Sequence, residues 1–174
     1  MSYIRVGEKL ISIDRIMHTV EKVLERRATG MSQQDVANEL QLDRSFISRL
    51  ETIGELRKGG RIALVGFPVR NKQELHDVAC EFGVDYVFLL NDEERWKWVR
   101  ETTGAELLNE LMELVANVRS HDSVIMIGSD MRIKLTEALV DKQIIPILIG
   151  ETPIREDKYV DPQELRAILT GLVN

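Results

Sequence analysis

Ser32-Gln33-Gln34-Asp35-Val36-Ala37-Asn38-Glu39-Leu40-Gln41-Leu42-Asp43-Arg44-Ser45-Phe46-Ile47-Ser48-Arg49-Leu50-Glu51 is the stretch on which the reading of this 174-residue chain turns. Ser32 with Asp35 three residues on is a helix-opening pair, and Val36, Ala37 and Leu40 then share one face of a short helix. Asp43 caps a second helix, whose Phe46, Ile47, Leu50 and Ile53 point inward. Ala37 is small where two helices must cross closely, while Leu40, Leu42, Ile47 and Leu50 pin the second helix on the first. Upstream, Ser12 caps a helix with Ile13, Ile16, Met17, Val20 and Val23-Leu24 at three- and four-residue spacing, ending near Gly30. Downstream the pattern breaks at Lys58-Gly59-Gly60-Arg61, and the domain boundary is set at this glycine pair.

The quoted stretch resembles the helix-turn-helix of the Cro and phage-repressor (XRE-like) family. Ser32-Gln33, Val36-Ala37, Leu40, Leu42, Asp43 and Ile47-Ser48-Arg49-Leu50-Glu51 fall on that family's frame. Gln41 departs from it, standing where the turn usually carries glycine, so a left-handed backbone is expected there at a cost of about 1 kcal/mol. The family's fourth and fifth helices are also missing, because a strand begins near Arg61. The resemblance implies double-stranded DNA as partner, with Arg44, Ser45, Ser48 and Arg49 at base edges. Gln33 and Gln34 would meet a phosphate or buttress the first reading residue.

Charge is consistent with a division of labour. The net charge is −6, yet residues 1–61 hold 11 Lys and Arg against 9 Asp and Glu, leaving 12 against 20 for the remainder. A neutral-to-basic head on an acidic body suits a protein whose head alone meets phosphates.

Beyond Gly60 the periodicity changes. Ile62–Gly66, Tyr86–Leu90, Ser123–Gly128 and Ile144–Gly150 are short continuous apolar runs, the mark of strands buried on both faces. Helical stretches separate them: Gln73–Phe82, Asp92–Arg119 with a break at Thr102-Thr103-Gly104, and Met131–Asp141. Asp161-Pro162-Gln163-Glu164 opens a last helix through Leu172. Strand alternating with helix predicts a parallel sheet with right-handed crossovers, and Pro146 pushes the fourth run to an edge. The expected fold class is therefore α/β: a three-helix helix-turn-helix domain over residues 1–58, then a small Rossmann-like domain with a four-stranded parallel sheet over residues 61–174.

Ligands of such sheets bind beyond the carboxyl ends of the strands. Arg70, Asn71, Ser129, Asp130 and Arg132 sit there as candidates for an anionic metabolite, against the alternative of a capped, solvated loop row. Neither G-x-G-x-x-G nor G-x-x-x-x-G-K-[ST] occurs, so no dinucleotide or nucleoside triphosphate is indicated and the cofactor stays open. No catalytic residues or metal ligands are assigned. Asp92, Asp130 and Glu151 read as caps rather than a magnesium site, and His18, His76 and His121 as isolated helix-surface or loop residues. Cys80 reads as a small core residue. Trp96 and Trp98, with Leu107, Leu111, Leu114 and Val118, form either the sheet's covering layer or a subunit interface. No apolar run reaches the roughly 18 residues that cross a bilayer, and a cytoplasmic location is expected.

Together these readings predict a transcriptional regulator, not an enzyme, that is homodimeric through its second domain, with that domain also open to a sensing role. The rival is a small α/β nucleotide- or metabolite-binding enzyme whose helical head docks a protein.

Overall fold

A computed structural model describes residues 2–56 and 58–173 and divides the chain into two compact units, the first ending at Glu55 and the second beginning at Leu56. The first unit opens with an antiparallel ribbon, β1 (Tyr3–Val6) and β2 (Lys9–Ser12), in which Val6 faces Lys9 across a two-residue turn. Gly7 occupies the first turn position at φ +59°, a conformation that glycine takes without strain. This ribbon is an addition to the sequence reading.

Three helices follow, α1 (Ile13–Ala28), α2 (Gln33–Leu40) and α3 (Arg44–Gly54). Ser12 and Ser32 accept from the backbone amides of Arg15 and Asp35, whereas Asp43 holds the cap position of α3 without a side-chain cap bond. Gln41 adopts the left-handed conformation at φ 55° and ψ 46°. The amides of Gln41 and Leu42 both donate to the Ala37 carbonyl, which ends α2 and turns the chain into α3. Val23, Val36, Ala37 and Ile47 are buried at the centre, with Met31, Leu40, Leu42 and Leu50 packed around them.

The apolar stripes of α1 and α3 are wider than this core. Phe46 and Ile53, expected to point inward, are 42% and 83% exposed, and Ile16, Met17 and Leu24 of α1 are exposed as well. Leu24 of α1 and Ile53 of α3 instead line an open recess together with Val20 and Leu50.

In the second unit, β3 (Ile62–Gly66), β4 (Tyr86–Leu89), β5 (Ser123–Gly128) and β6 (Gln143–Leu148) form a parallel sheet in the order β4-β3-β5-β6. Pro146 pairs with Met126 from the outer strand β6, where its missing N–H faces no further strand. One face packs on α4 (Lys72–Glu81) and α8 (Pro162–Val173) through Leu75, Val78, Leu165, Leu169 and Leu172. The other meets α6 (Gly104–Arg119) and α7 (Asp130–Leu139) through Val118 and Ile133. Trp98 of α5 (Asp92–Glu101) sets its ring edge against Phe88 at 6.0 Å.

The glycine pair is built into this second unit. Gly59 N–H donates to the Leu172 carbonyl at 2.8 Å and Arg61 N–H to Asp122 Oδ2 at 2.8 Å. A Cβ on Gly60, at φ +86°, would lie 2.7 Å from that same Asp122 oxygen. One further expectation is corrected. Cys80 is exposed, because α4 turns Leu75, Val78 and Ala79 to the sheet and Cys80 away from it, 3.5 Å from His76 Nδ1. His121 is a loop residue, as expected, and is buried. It follows α6 directly, where its Nδ1 bonds the Asn117 carbonyl at 2.7 Å and its ring tilts against Tyr86.

Candidate functional site

Two separate groups of residues carry the chemistry. The first lies on α3. Arg44 and Ser48, and Ser45 and Arg49, are pairs four residues apart, so the four side chains share one face of the helix, and all four are exposed. The burial of Ile47 at zero exposure and the half-burial of Leu50 seat the opposite side.

The orientation of α3 is held by a polar network. Arg27 of α1 donates through Nε to Glu51 Oε1 at 2.5 Å, and Gln33 of α2 donates through Nε2 to Glu51 Oε2 at 2.7 Å. A second nitrogen of Arg27 bonds the Met31 carbonyl. One carboxylate thus ties all three helices. The bonds from Arg27 and then Gln33 hold the Glu51 carboxyl below its ordinary pKa of 4.5. Gln33 is committed to this structural role, while Gln34, exposed beside it, bonds Asn38 at 3.1 Å within its own helix.

The second group lies beyond the carboxyl ends of the sheet strands, and here the structure rearranges the candidates. A long connection from Ile149 to Asp161 folds back over the strand ends. Val69 bridges to Lys158 in parallel, Arg70 N–H donates to the Lys158 carbonyl at 2.8 Å, and the Arg70 guanidinium reaches the Asp157 carbonyl at 3.3 Å. Asn71 is buried with its amide spent on Val160, donating to its carbonyl at 2.8 Å and accepting from its N–H at 3.0 Å. Arg70 and Asn71 therefore fasten the connection, Asn71 from a buried position and Arg70 from an exposed one.

Ser129 and Asp130 do the same further along. Ser129 Oγ accepts from Thr152 Oγ1 at 2.7 Å and Asp130 Oδ1 from Thr152 N–H at 2.9 Å. That second bond is the main cause of the lowered Asp130 pKa. The set Asp92, Asp130 and Glu151 does not assemble, and among the described residues no three His, Cys, Asp or Glu side chains gather as metal ligands.

Of the five candidates, Arg132 lines a cavity. It is a recess of about 540 Å³ bounded by Asp92, Arg95, Trp96, Val99, Arg132, Thr152, Pro153, Ile154 and Arg155. Arg132 lies 4.6 Å above the Phe67 ring and donates to the Phe67 carbonyl at 3.0 Å. Burial, and then the nearby charge of Arg95, lower its pKa, with Asp92 opposing. Arg95 is paired with Asp92 and rests 5.0 Å over the Trp96 ring. Arg95, Trp96 and Arg155 escaped the sequence reading because nothing local marks them. The length of the connection after β6 was the available signal, since loops of more than about 12 residues are uncommon without a function.

Separately, α6 and α7 leave an apolar groove lined by Leu111, Leu114, Val115, Leu135 and Leu139. Leu108, Leu111, Met112, Leu135 and Leu139 beside it are exposed.

Comparison with protein-family models, with curated proteins and with solved structures finds no match to this chain.

Proposed function

We propose that this protein is a sequence-specific DNA-binding transcriptional regulator whose first unit is a helix-turn-helix reader. The observation that carries the reading is the α2-turn-α3 unit itself: α3 is seated by Ile47, locked by Glu51, and presents Arg44, Ser45, Ser48 and Arg49 together on its free face. Such a face entering a major groove brings two guanidinium forks and two hydroxyls to base edges, and an arginine fork matches guanine O6 and N7. Gln34 and the amide end of α2 then face the phosphate backbone.

One reading helix specifies only a few base pairs, too few to pick an operator out of a genome, so two copies act together as a homodimer. The exposed Leu108, Leu111, Met112, Leu135 and Leu139 of the second unit, which is the Rossmann-like domain in this reading, supply the surface for a second copy. The two copies of α3 then stand about 34 Å apart on one face of the duplex. Among the described residues no helix is long and apolar enough to cross a membrane, and the proposed site of action is the cytoplasm.

The test is footprinting on fragments selected from genomic DNA by the full chain. Arg44→Ala and Arg49→Ala each weaken specific binding by about 1 to 3 kcal/mol without altering the melt. Unchanged footprints in both variants overturn the assignment.

A further inference from the structure

The cavity at the carboxyl ends of β4, β5 and β6 is unusual in its charge. Three arginines line it against the single carboxylate of Asp92, an excess of two positive charges among its lining residues. Two of them are held in place rather than free in solvent. Only 14% of the Arg95 side chain is exposed, fixed between Asp92 and Trp96, and Arg132 is anchored on the Phe67 ring and carbonyl. Arg155, exposed at the rim of the recess, makes no hydrogen bond or ion pair among the described residues, so its five donors are uncommitted.

Holding like charges together in a half-buried site costs free energy, which the one carboxylate of Asp92 and the rings of Trp96 and Phe67 offset only in part. The arrangement is stabilising once an anion sits among the guanidinium groups. Of the small biological anions, a phosphate monoester carries a charge of about −1.5 to −2 at pH 7 and three acceptor oxygens, which matches the excess charge and the number of forks. The recess is larger than phosphate alone requires, lying within the roughly 300 to 1,000 Å³ of ordinary metabolite sites. Its remaining wall is Trp96, 46% exposed, with Val99 and Ile154, a surface suited to a planar or apolar group.

We propose that this cavity binds a phosphorylated small metabolite, with the phosphate monoester among Arg95, Arg132 and Arg155 and the organic part against Trp96. The proposal rests on the regulator reading for its purpose, since it makes the second unit a sensor, but it stands on its own geometry. The connection that closes the cavity is latched to Ser129 and Asp130 by Thr152 and to Asn71 at Val160, so a ligand bound at Arg155 bears directly on a segment fastened across the strand ends.

The experiment is calorimetric titration of the full chain at constant ionic strength with adenosine monophosphate, adenosine, inorganic phosphate and succinate. Adenosine monophosphate binds, inorganic phosphate binds more weakly at the same site, and adenosine and succinate do not compete. Arg155→Gln, which removes no hydrogen bond of the free protein, weakens adenosine monophosphate by about tenfold or more. Trp96→Ala weakens adenosine monophosphate more than inorganic phosphate, since it removes the wall for the organic part in addition to the ring beneath Arg95. No heat with either phosphate at millimolar concentration, succinate competing as well as phosphate, or an unchanged affinity in Arg155→Gln overturns the proposal. Binding of selected DNA by the same preparations is measured in parallel. Intact DNA binding without phosphate binding sinks the sensor alone, and phosphate binding without DNA binding sinks the regulator reading alone.

Discussion

Replacing Ala37 by leucine puts the helix crossing under direct strain. Ala37 is 2% exposed and lies in a cluster of only four buried residues, with Val23, Val36 and Ile47. The substitution adds three carbons where no space is left, which costs about 1 to 3 kcal/mol in a packed core. A unit of this size has a total stability of about 3 to 8 kcal/mol, so the change removes a large share of it. Because α2 and α3 are the elements pushed apart, the loss falls on the first unit and on DNA binding together. Scanning calorimetry of the full chain resolves this: the transition of the first unit drops, by about 4 to 8 °C per kcal/mol for a domain this small, while that of the α/β unit stays in place. A normal first transition with normal DNA binding would refute the packing described here.

Three further outcomes follow from particular contacts. Glu51 has a depressed folded pKa, so its contribution is present above the ordinary 4.5 and is lost as the pH falls through the folded value; the first transition weakens in that acidic window, and Glu51→Gln flattens the dependence. Asn71→Ala leaves the buried N–H and carbonyl of Val160 unpaired and destabilises the second unit by about 2 to 4 kcal/mol, read as a shift of the urea midpoint. Leu111→Lys combined with Leu135→Lys converts the proposed dimer to a monomer in light scattering while the melt of the α/β unit is retained; a dimer that persists places the subunit contact elsewhere.

The legible parts of the chain were those where one periodicity dominates. The four strands of the parallel sheet are continuous apolar runs, and the helices between them open on Asn91, Thr103, Ser129 and Pro162, residues whose local chemistry starts a helix. The left-handed turn at Gln41 was legible because the resemblance to the helix-turn-helix family puts Gln41 where that turn usually carries glycine. The ribbon at the start was not, since Tyr3, Ile4, Val6 and Leu10 are exposed and no alternation separates an inner from an outer face. At the strand ends, residue type was informative and destination was not. Arg70 and Asn71 look like a ligand rim until the chain near Val160, 89 residues beyond Asn71, returns to occupy them. Arg95, Trp96 and Arg155 become a site only through the same long-range closure.

The central claim is that α3 reads DNA, and its most direct test is the salt dependence of binding to duplex DNA carrying the selected site. If Arg44, Arg49 and the backbone donors near Gln34 meet the duplex, the logarithm of the binding constant falls linearly with the logarithm of salt concentration, with a slope of about −0.9 per neutralised phosphate. The account predicts such a slope for the full chain, with several contacts per dimer, and a shallower one for Arg44→Ala and Arg49→Ala. No binding to any duplex at low salt, or binding with no salt slope, would contradict it.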